Sequence, residues 1–312
     1  MSSGSVAVID IGSNSIKVLI ATRRADGQLL PLKMRTIDAR ISAGISKTAP
    51  RLSEDGMARG LAAIRALLAE AAPFAPTKIV LVATSAVRDA GNGRDFCARV
   101  REETGHEIRI LTGEEEANLI GRGLTTDPTL RDLQNFYVFD LGGGSLECLA
   151  FCDRRIEQAV SLPLGCVRLT EKFVSDSTLP FSAAAAEAVA AYTRELVAHS
   201  DFTFALSAGA ITVGTGGTVT TVRAIFGARE GQPFEATAPV VSVAQIRELL
   251  AWLGALPLAE RQKVPGLPPA RADVFPTALA TLSALAEVGG FTGCVNSLCN
   301  LRYGIADQAL SP

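Results

Sequence analysis

The chain is 312 residues long, enough for two domains at roughly 150 residues each. Hydrophobic residues make up 48% of it and charged residues 20%, a balance that excludes extended disorder and a highly charged coiled coil. Thirty Lys and Arg against thirty-two Asp and Glu leave a net charge of -2, which argues against a globally basic nucleic-acid or membrane-surface binder, so an anionic substrate would need a local pocket.

Strands come first. Val6 to Ile11 and Ile16 to Thr22 are apolar runs, a turn falls at Arg23 to Gly27, and an extended return runs from Gln28 to Ile37. Ser53 then caps a predicted helix whose Met57, Leu61, Ile64 and Leu68 lie on one apolar face, ending before Pro73. Lys78 to Thr84 is a strand, followed by a helix from about Asp95 to Thr104, a strand at Glu107 to Leu111 and a helix from Glu114 to Gly123. Such alternation predicts an α/β sheet with helices packed on it. Asp127-Pro128 marks a boundary, after which Phe136 to Leu141, Leu146 to Cys152 and Arg155 to Leu162 repeat the opening meander around a turn at Asp153-Arg154. A helix at Ser182 to His199, a strand at Leu206 to Val213 and a tight GTGGT turn at Gly214 to Thr218 lead into a further helix. Helices at Ser242 to Leu253 and Ala270 to Glu287, a strand at Cys294 to Leu298 and a helix from Asn300 to Leu310 complete the chain.

No run approaches the roughly 18–20 apolar residues of a membrane span, and Met-Ser-Ser-Gly leads almost directly into a strand, so a soluble, cytoplasmic protein without a secretory signal is expected. Cys97, Cys148, Cys152, Cys166, Cys294 and Cys299 form no CxxC pair, and His106 and His199 are the only histidines. Reduced, buried thiols are therefore expected rather than a metal site.

DIGSNSIK (Asp10 to Lys17) lies over DLGGGSLE (Asp140 to Glu147) at an offset of 140 − 10 = 130, which predicts an internal duplication. Each copy ends a strand in Asp, turns through small residues and re-enters a strand, making a loop of outward N–H groups. GTGGT supplies a third such loop at a helix N-terminus. One glycine turn signifies little, but three suit phosphate oxygens. There is no GxxxxGK[ST] run, and GTGGT does not complete GxGxxG, so neither a P-loop nor a dinucleotide fingerprint is present. Asp140 and Glu147, at opposite ends of the second glycine loop, offer hard oxygen ligands that suit Mg2+ shared with substrate phosphates; the competing role for Glu147 is a solvated strand residue. Arg88, after the strand ending at Thr84, offers a fork-shaped phosphate donor. Glu114, Glu115 and Glu116 open a helix, where acidic residues favour the dipole, yet three in a row exceed what capping requires.

DIGSNSIKVLI, ATSAVRDAGN (Ala83 to Asn92), TGEEEANLIGRG (Thr112 to Gly123), FDLGGGSLE (Phe139 to Glu147) and VGTGGTVTT (Val213 to Thr221), in this order, resemble the exopolyphosphatase/guanosine pentaphosphate phosphohydrolase (Ppx/GppA) family. The likeness extends through RADVFPTAL (Arg271 to Leu279) and NSLCNLRYGIA (Asn296 to Ala306). It implies a duplicated actin-like (ribonuclease-H-type, ASKHA) α/β fold, with two domains flanking an interdomain cleft that holds the active site. Domain I is expected over residues 1–126, with the C-terminal helix 299–312 packing back on it, and domain II over 127–298. The resemblance further implies that Glu116 is the catalytic base activating water and that Arg88 binds phosphate. Asp140 and Glu147 match the magnesium-associated carboxylates, while Gly12, Ser13, Asn14, Gly143, Gly144, Ser145, Gly216, Gly217 and Thr218 fall on phosphate-cradling loops. Two positions depart from the family pattern: Asn118 stands where arginine is often found, and Thr277 where glycine is often found, and either is expected to alter chain binding. The chain resembles the short two-domain form, without the helical region that follows in long members.

The expected activity is magnesium-dependent release of terminal phosphate from inorganic polyphosphate, with removal of the 5′ terminal phosphate of guanosine pentaphosphate as the alternative substrate choice. A kinase of the same fold would usually take its base from an aspartate, whereas Glu116 after Gly113 favours hydrolysis. A sensor that binds without turnover is the non-enzymatic rival, opposed by the intact Glu116, Asp140 and Glu147. No nucleic-acid or membrane partner is expected, and the oligomeric state is open, with a homodimer among the options.

Overall fold

A computed structural model describes residues 4–45, 50–207 and 209–311. Residues 1–3 of the N-terminal stretch considered above, Ala208 of the expected strand Leu206 to Val213, and Pro312 lie outside the described residues. The chain divides into two compact units: Met1–Asp132 with Cys299–Pro312, and Leu133–Leu298.

In the first unit, β1 (Ser5–Ile11), β2 (Ile16–Arg23) and β3 (Leu29–Ile37) form a meander. It is followed by α1 (Glu54–Ala71), β4 (Lys78–Ala83), the short α2 (Ser85–Arg88), α3 (Gly93–Thr104), β5 (Ile108–Ile110) and α4 (Gly113–Thr125). The sheet order is β3-β2-β1-β4-β5, with β1 antiparallel to β2 and parallel to β4. Val6 to Ile9 are all 0% exposed, because both faces of β1 are covered. Ala7, Ile9 and Ile11 share a core with Met57, Leu61 and Ile64 of α1 and with Phe96 of α3. Each such large apolar side chain contributes about 1.5–3 kcal/mol by leaving water. The unit extends beyond residue 126 because the turn Pro128–Leu130 packs against α4 and buries Leu130.

The second unit contains β6 (Phe136–Leu141), β7 (Leu146–Cys152), β8 (Arg155–Leu162), α5 (Cys166–Phe173), α6 (Ala183–Ala198), β9 (Ile211–Thr215) and α7 (Gly216–Arg229). It continues with β10 (Val240–Ser242), α8 (Val243–Gly254), α9 (Leu258–Arg261), α10 (Phe275–Gly289) and β11 (Gly293–Asn296). Its sheet order is β10-β11-β9-β6-β7-β8. Every residue of α10 from Phe275 to Ala286 is buried, as the helix packs against α5, α6 and α8. The last helix, α11 (Leu301–Leu310), returns to the first unit and packs on β1, β2 and α4.

The duplication is present in the hydrogen-bond register itself. Asp10 pairs with Lys17 across β1 and β2, and Asp140 pairs with Glu147 across β6 and β7. The meander irregularity falls after Ile20 in one copy and after Ala150 in the other, again 150 − 20 = 130 residues apart. A parallel strand lies beside the first strand of each copy, β4 beside β1 and β9 beside β6. The chain therefore has the duplicated actin-like α/β fold.

Several elements differ from expectation. The strand expected from Leu206 begins at Ile211, because Phe202 and Phe204 turn onto Tyr137 and Phe139, and the Leu206 N–H donates to the Tyr137 hydroxyl at 2.7 Å. The helix expected from Ala270 starts at Phe275, after a separate turn at Pro269–Arg271. Among the cysteines, Cys148, Cys166 and Cys294 are buried and Cys97 and Cys299 are partly so, but Cys152, beside the β7–β8 turn, is exposed. Burial pushes the Cys294 and Cys299 thiols up to about 12, which suppresses the reactive thiolate. Among the described residues, no helix is long and apolar enough to cross a membrane.

Candidate active site

The three consecutive glutamates at the start of α4 have three different environments. Thr112 caps the helix: its hydroxyl accepts from the Glu115 N–H at 3.1 Å, and Glu115 Oε2 accepts from the Thr112 N–H at 2.8 Å. Glu114 is exposed to solvent. Glu116 alone is buried, at 6% exposure. Its Oε2 accepts from Arg88 Nη1 at 2.9 Å, and the same nitrogen donates to the Leu111 carbonyl at 3.0 Å. Residues 28 positions apart in sequence thus meet because α2 follows β4 directly and β5 lies beside β4.

The Thr112 N–H, with Arg109 beyond it, holds the Glu115 carboxyl below its ordinary value of 4.5. A depressed folded-state value means that this stabilisation is fully present above about pH 4.5 and is lost as pH falls through the lowered value. The stability difference between wild type and Glu115→Gln should therefore be present near about pH 7 and shrink on acidification, as denaturant melts across pH would show.

In both hairpin loops, the carbonyls are held from one side. In the first, the Ser13 carbonyl accepts from the Ser42 N–H at 3.3 Å and the Ser42 hydroxyl at 3.1 Å, and the Asn14 carbonyl accepts from the Arg40 N–H at 2.9 Å. In the second, the Gly142 carbonyl accepts from Cys166 N–H at 3.0 Å and the Gly143 carbonyl from Val167 N–H at 2.8 Å. Because a trans peptide directs its N–H opposite to its C=O, the amides of Asn14, Ser15, Gly143 and Gly144 point away from these supports. The Gly12 and Gly142 N–H groups instead close their own loops onto Ser15 and Ser145 carbonyls, at 3.2 and 2.9 Å. Ser13 Oγ lies 3.2 Å from Ser85 Oγ, tying the first loop to α2.

The third loop is where β9 becomes α7. Gly216 has φ +81, and a Cβ there would lie 2.0 Å from Asp140 Oδ1, so only glycine allows the carboxylate this close. Thr218 Oγ1 donates to the Leu141 carbonyl at 3.0 Å. The Arg271 guanidinium lies against Gly217, where a Cβ would come within 1.7 Å of Nη1, and Arg271 Nη2 is 3.4 Å from Thr218 Oγ1. The buried Arg271 Nε has no hydrogen-bond partner among the described residues.

The two copies differ in charge at one cross-strand position. Asp10 faces Lys17, an opposite-charge pair. Burial raises the Asp10 carboxyl, and nearby Lys17 and Arg302 work in the opposite direction. Asp140 faces Glu147 instead, at 8% and 2% exposure. The structure therefore corrects the picture of Glu147 as a solvated strand residue: it is buried, and its Oε1 accepts from Ser161 Oγ at 2.8 Å. Like charges placed directly opposite each other across a strand pair repel. Among the described residues, no group of three or more His, Cys, Asp or Glu side chains gathers as a metal cluster. Two carboxylates fit a magnesium ion that takes its remaining ligands from water and phosphate, and do not fit an all-protein cage.

The structure joins Arg88 to Glu116 in the first unit and Asp140 to Gly216 in the second. Arg271 is a positively charged neighbour of the third loop that sequence spacing did not single out; its place in the RADV segment was the available signal. Thr277 is fully buried and accepts from Thr170 Oγ1 at 2.8 Å, joining α10 to α5. Asn118 is exposed, with Nδ2 donating to the Glu114 carbonyl at 2.9 Å.

Residues 19–310 match the Ppx/GppA phosphatase family. Among solved structures, an exopolyphosphatase-like protein is 26% identical with a TM-score of 0.88, covering 99% of this chain and 98% of its own. The Aquifex aeolicus PPX-GPPA enzyme is 25% identical with a TM-score of 0.77, covering 98% and 99%. An exopolyphosphatase from Cytophaga hutchinsonii, 22% identical with a TM-score of 0.85 over 98% and 97%, shares the fold.

Proposed function

This chain belongs to the Ppx/GppA phosphatase family, and from that premise we propose that it hydrolyses the terminal phosphoanhydride of inorganic polyphosphate, releasing orthophosphate. The observation that carries this reading is the ion pair between the partly buried Arg88 and the buried Glu116 at the start of α4. Glu116 orients water and accepts its proton at the carboxylate as the phosphorus–oxygen bond forms. Arg88, whose guanidinium faces Asp89 at 3.5 Å as well as Glu116 and the Leu111 carbonyl, neutralises charge on the transferred phosphoryl group. The loop amides of Asn14, Ser15, Gly143 and Gly144 supply fixed donors for phosphate oxygens, and Arg271 adds positive charge beside Gly217 and Thr218. Asp140 and Glu147 would hold magnesium, which when bound supplies charge neutralisation for the anionic chain.

The test is phosphate release, with magnesium, from polyphosphate, guanosine pentaphosphate and ATP in parallel. Polyphosphate is expected to give the highest kcat/KM. Preference for the pentaphosphate would move the substrate assignment within the same chemistry. Tight binding of all three without release would leave a sensor and sink the proposed hydrolysis.

A further inference from the structure

The start of α5 supports the second hairpin loop from one side. α5 begins at Cys166 after Gly165, which carries no capping side chain. Its first N–H groups would be orphans in an isolated helix, yet here they are taken up by the loop carbonyls of Gly142 and Gly143. The approach is close: a Cβ on Gly165 would lie 2.2 Å from the Gly144 carbonyl carbon and 2.3 Å from its nitrogen. Arg168 completes the arrangement from the next part of the turn. Its N–H donates to the Gly143 carbonyl at 3.2 Å, and its side-chain Nε donates to the Gly144 carbonyl at 2.9 Å.

This last bond is a side-chain contribution to the series, and it holds the peptide that follows Gly144. Glycine at positions 142 to 144 leaves that backbone free to rotate into orientations closed to other residues. Accordingly, we infer that Arg168 is a positioning residue: by holding the Gly144 carbonyl, it fixes the Gly144–Ser145 peptide plane and aims the Ser145 N–H at the bound phosphate. The inference rests on the proposed phosphate-binding role of this loop. Arg168 acts through the loop, whereas Arg88 acts on the phosphoryl group itself. The first copy makes the equivalent bond without a side chain, since the Asn14 carbonyl is held by the backbone N–H of Arg40. Its loop should therefore be insensitive to this kind of truncation.

The experiment compares wild type, Arg168→Ala and Arg168→Lys, with Lys172→Ala at the far end of α5 as a control for helix packing. Amide spectra are recorded for Gly144 and Ser145 with and without pyrophosphate, and kcat and KM are measured on polyphosphate. Arg168→Ala is expected to shift both amides in the free protein, weaken pyrophosphate binding about tenfold, and raise KM more than it lowers kcat. Methylguanidinium should restore part of the lost binding, while methylammonium should not, and Arg168→Lys should resemble the alanine variant at the Gly144 carbonyl. Unchanged amides and binding in Arg168→Ala would overturn the inference, as would a loss that follows a lowered melting temperature and resists methylguanidinium. If wild type hydrolyses no polyphosphate, the substrate reading fails, but the amide and pyrophosphate measurements still decide the role of Arg168.

Discussion

Glu116→Gln is expected to slow phosphate release from polyphosphate by about 10² to 10⁴, the range associated with removing a positioned general base. The substitution preserves shape and retains a side-chain oxygen that can accept from Arg88 Nη1. It removes the group that can take a proton from water. The expected pattern is a collapse in kcat with polyphosphate binding retained, because Arg88 and the loop amides are still present. Single-turnover release, alongside binding of the same polymer, separates these quantities. A variant that retains wild-type kcat would place the base elsewhere and overturn the assignment. Glu115→Gln, one residue away, is the informative contrast: Glu115 belongs to the helix cap, so its loss should affect stability far more than turnover.

Gly304→Ala is expected to cause the larger stability loss. α4 and α11 approach backbone to backbone: a Cβ at Gly304 would lie 1.8 Å from the Leu119 carbonyl oxygen, and one at Gly123 would lie 2.1 Å from that of Asn300. Neither obstacle is a side-chain tip able to swing away, so the helices must separate. Overpacking of this kind typically costs about 1–3 kcal/mol, occasionally more. At about 2–4 °C per kcal/mol for a domain of this size, the melting transition of the first unit should fall by several degrees. Calorimetry of wild type and variant is the direct measurement. Because Glu116 and Leu119 share α4, activity should fall below the melting transition as well. An unchanged transition would show that the close approach of α4 and α11 is dispensable.

Much of this architecture was legible in the residues. The 130-residue offset between Asp10 and Asp140 was written in matching Asp, Gly and Ser, and Ser53 advertised a helix start through a side chain that does cap its helix. What escaped depended on contacts distant in sequence. α5 has no local cap to reveal it; its N-terminus is satisfied by a loop more than twenty residues earlier. Phe202 and Phe204 alternate as strand residues would, but they pack onto Tyr137 and Phe139 from an irregular segment. At the candidate site, each acid and glycine loop could be picked out singly. The Arg88–Glu116 contact, the burial of Glu147 and the position of Arg271 against Gly217 emerge only when strands bring them together.

The return of α11 to the first unit has a consequence for synthesis. A ribosome releases β1 and β2 early, but the helix that covers one of their faces is made only after the whole of Leu133–Leu298. The second unit is contiguous and can fold while translation continues, whereas the first must wait with apolar strand surface uncovered. A stall or truncation before Leu301 would therefore injure the unit whose strands are made before Leu133–Leu298, because α11 follows that whole segment.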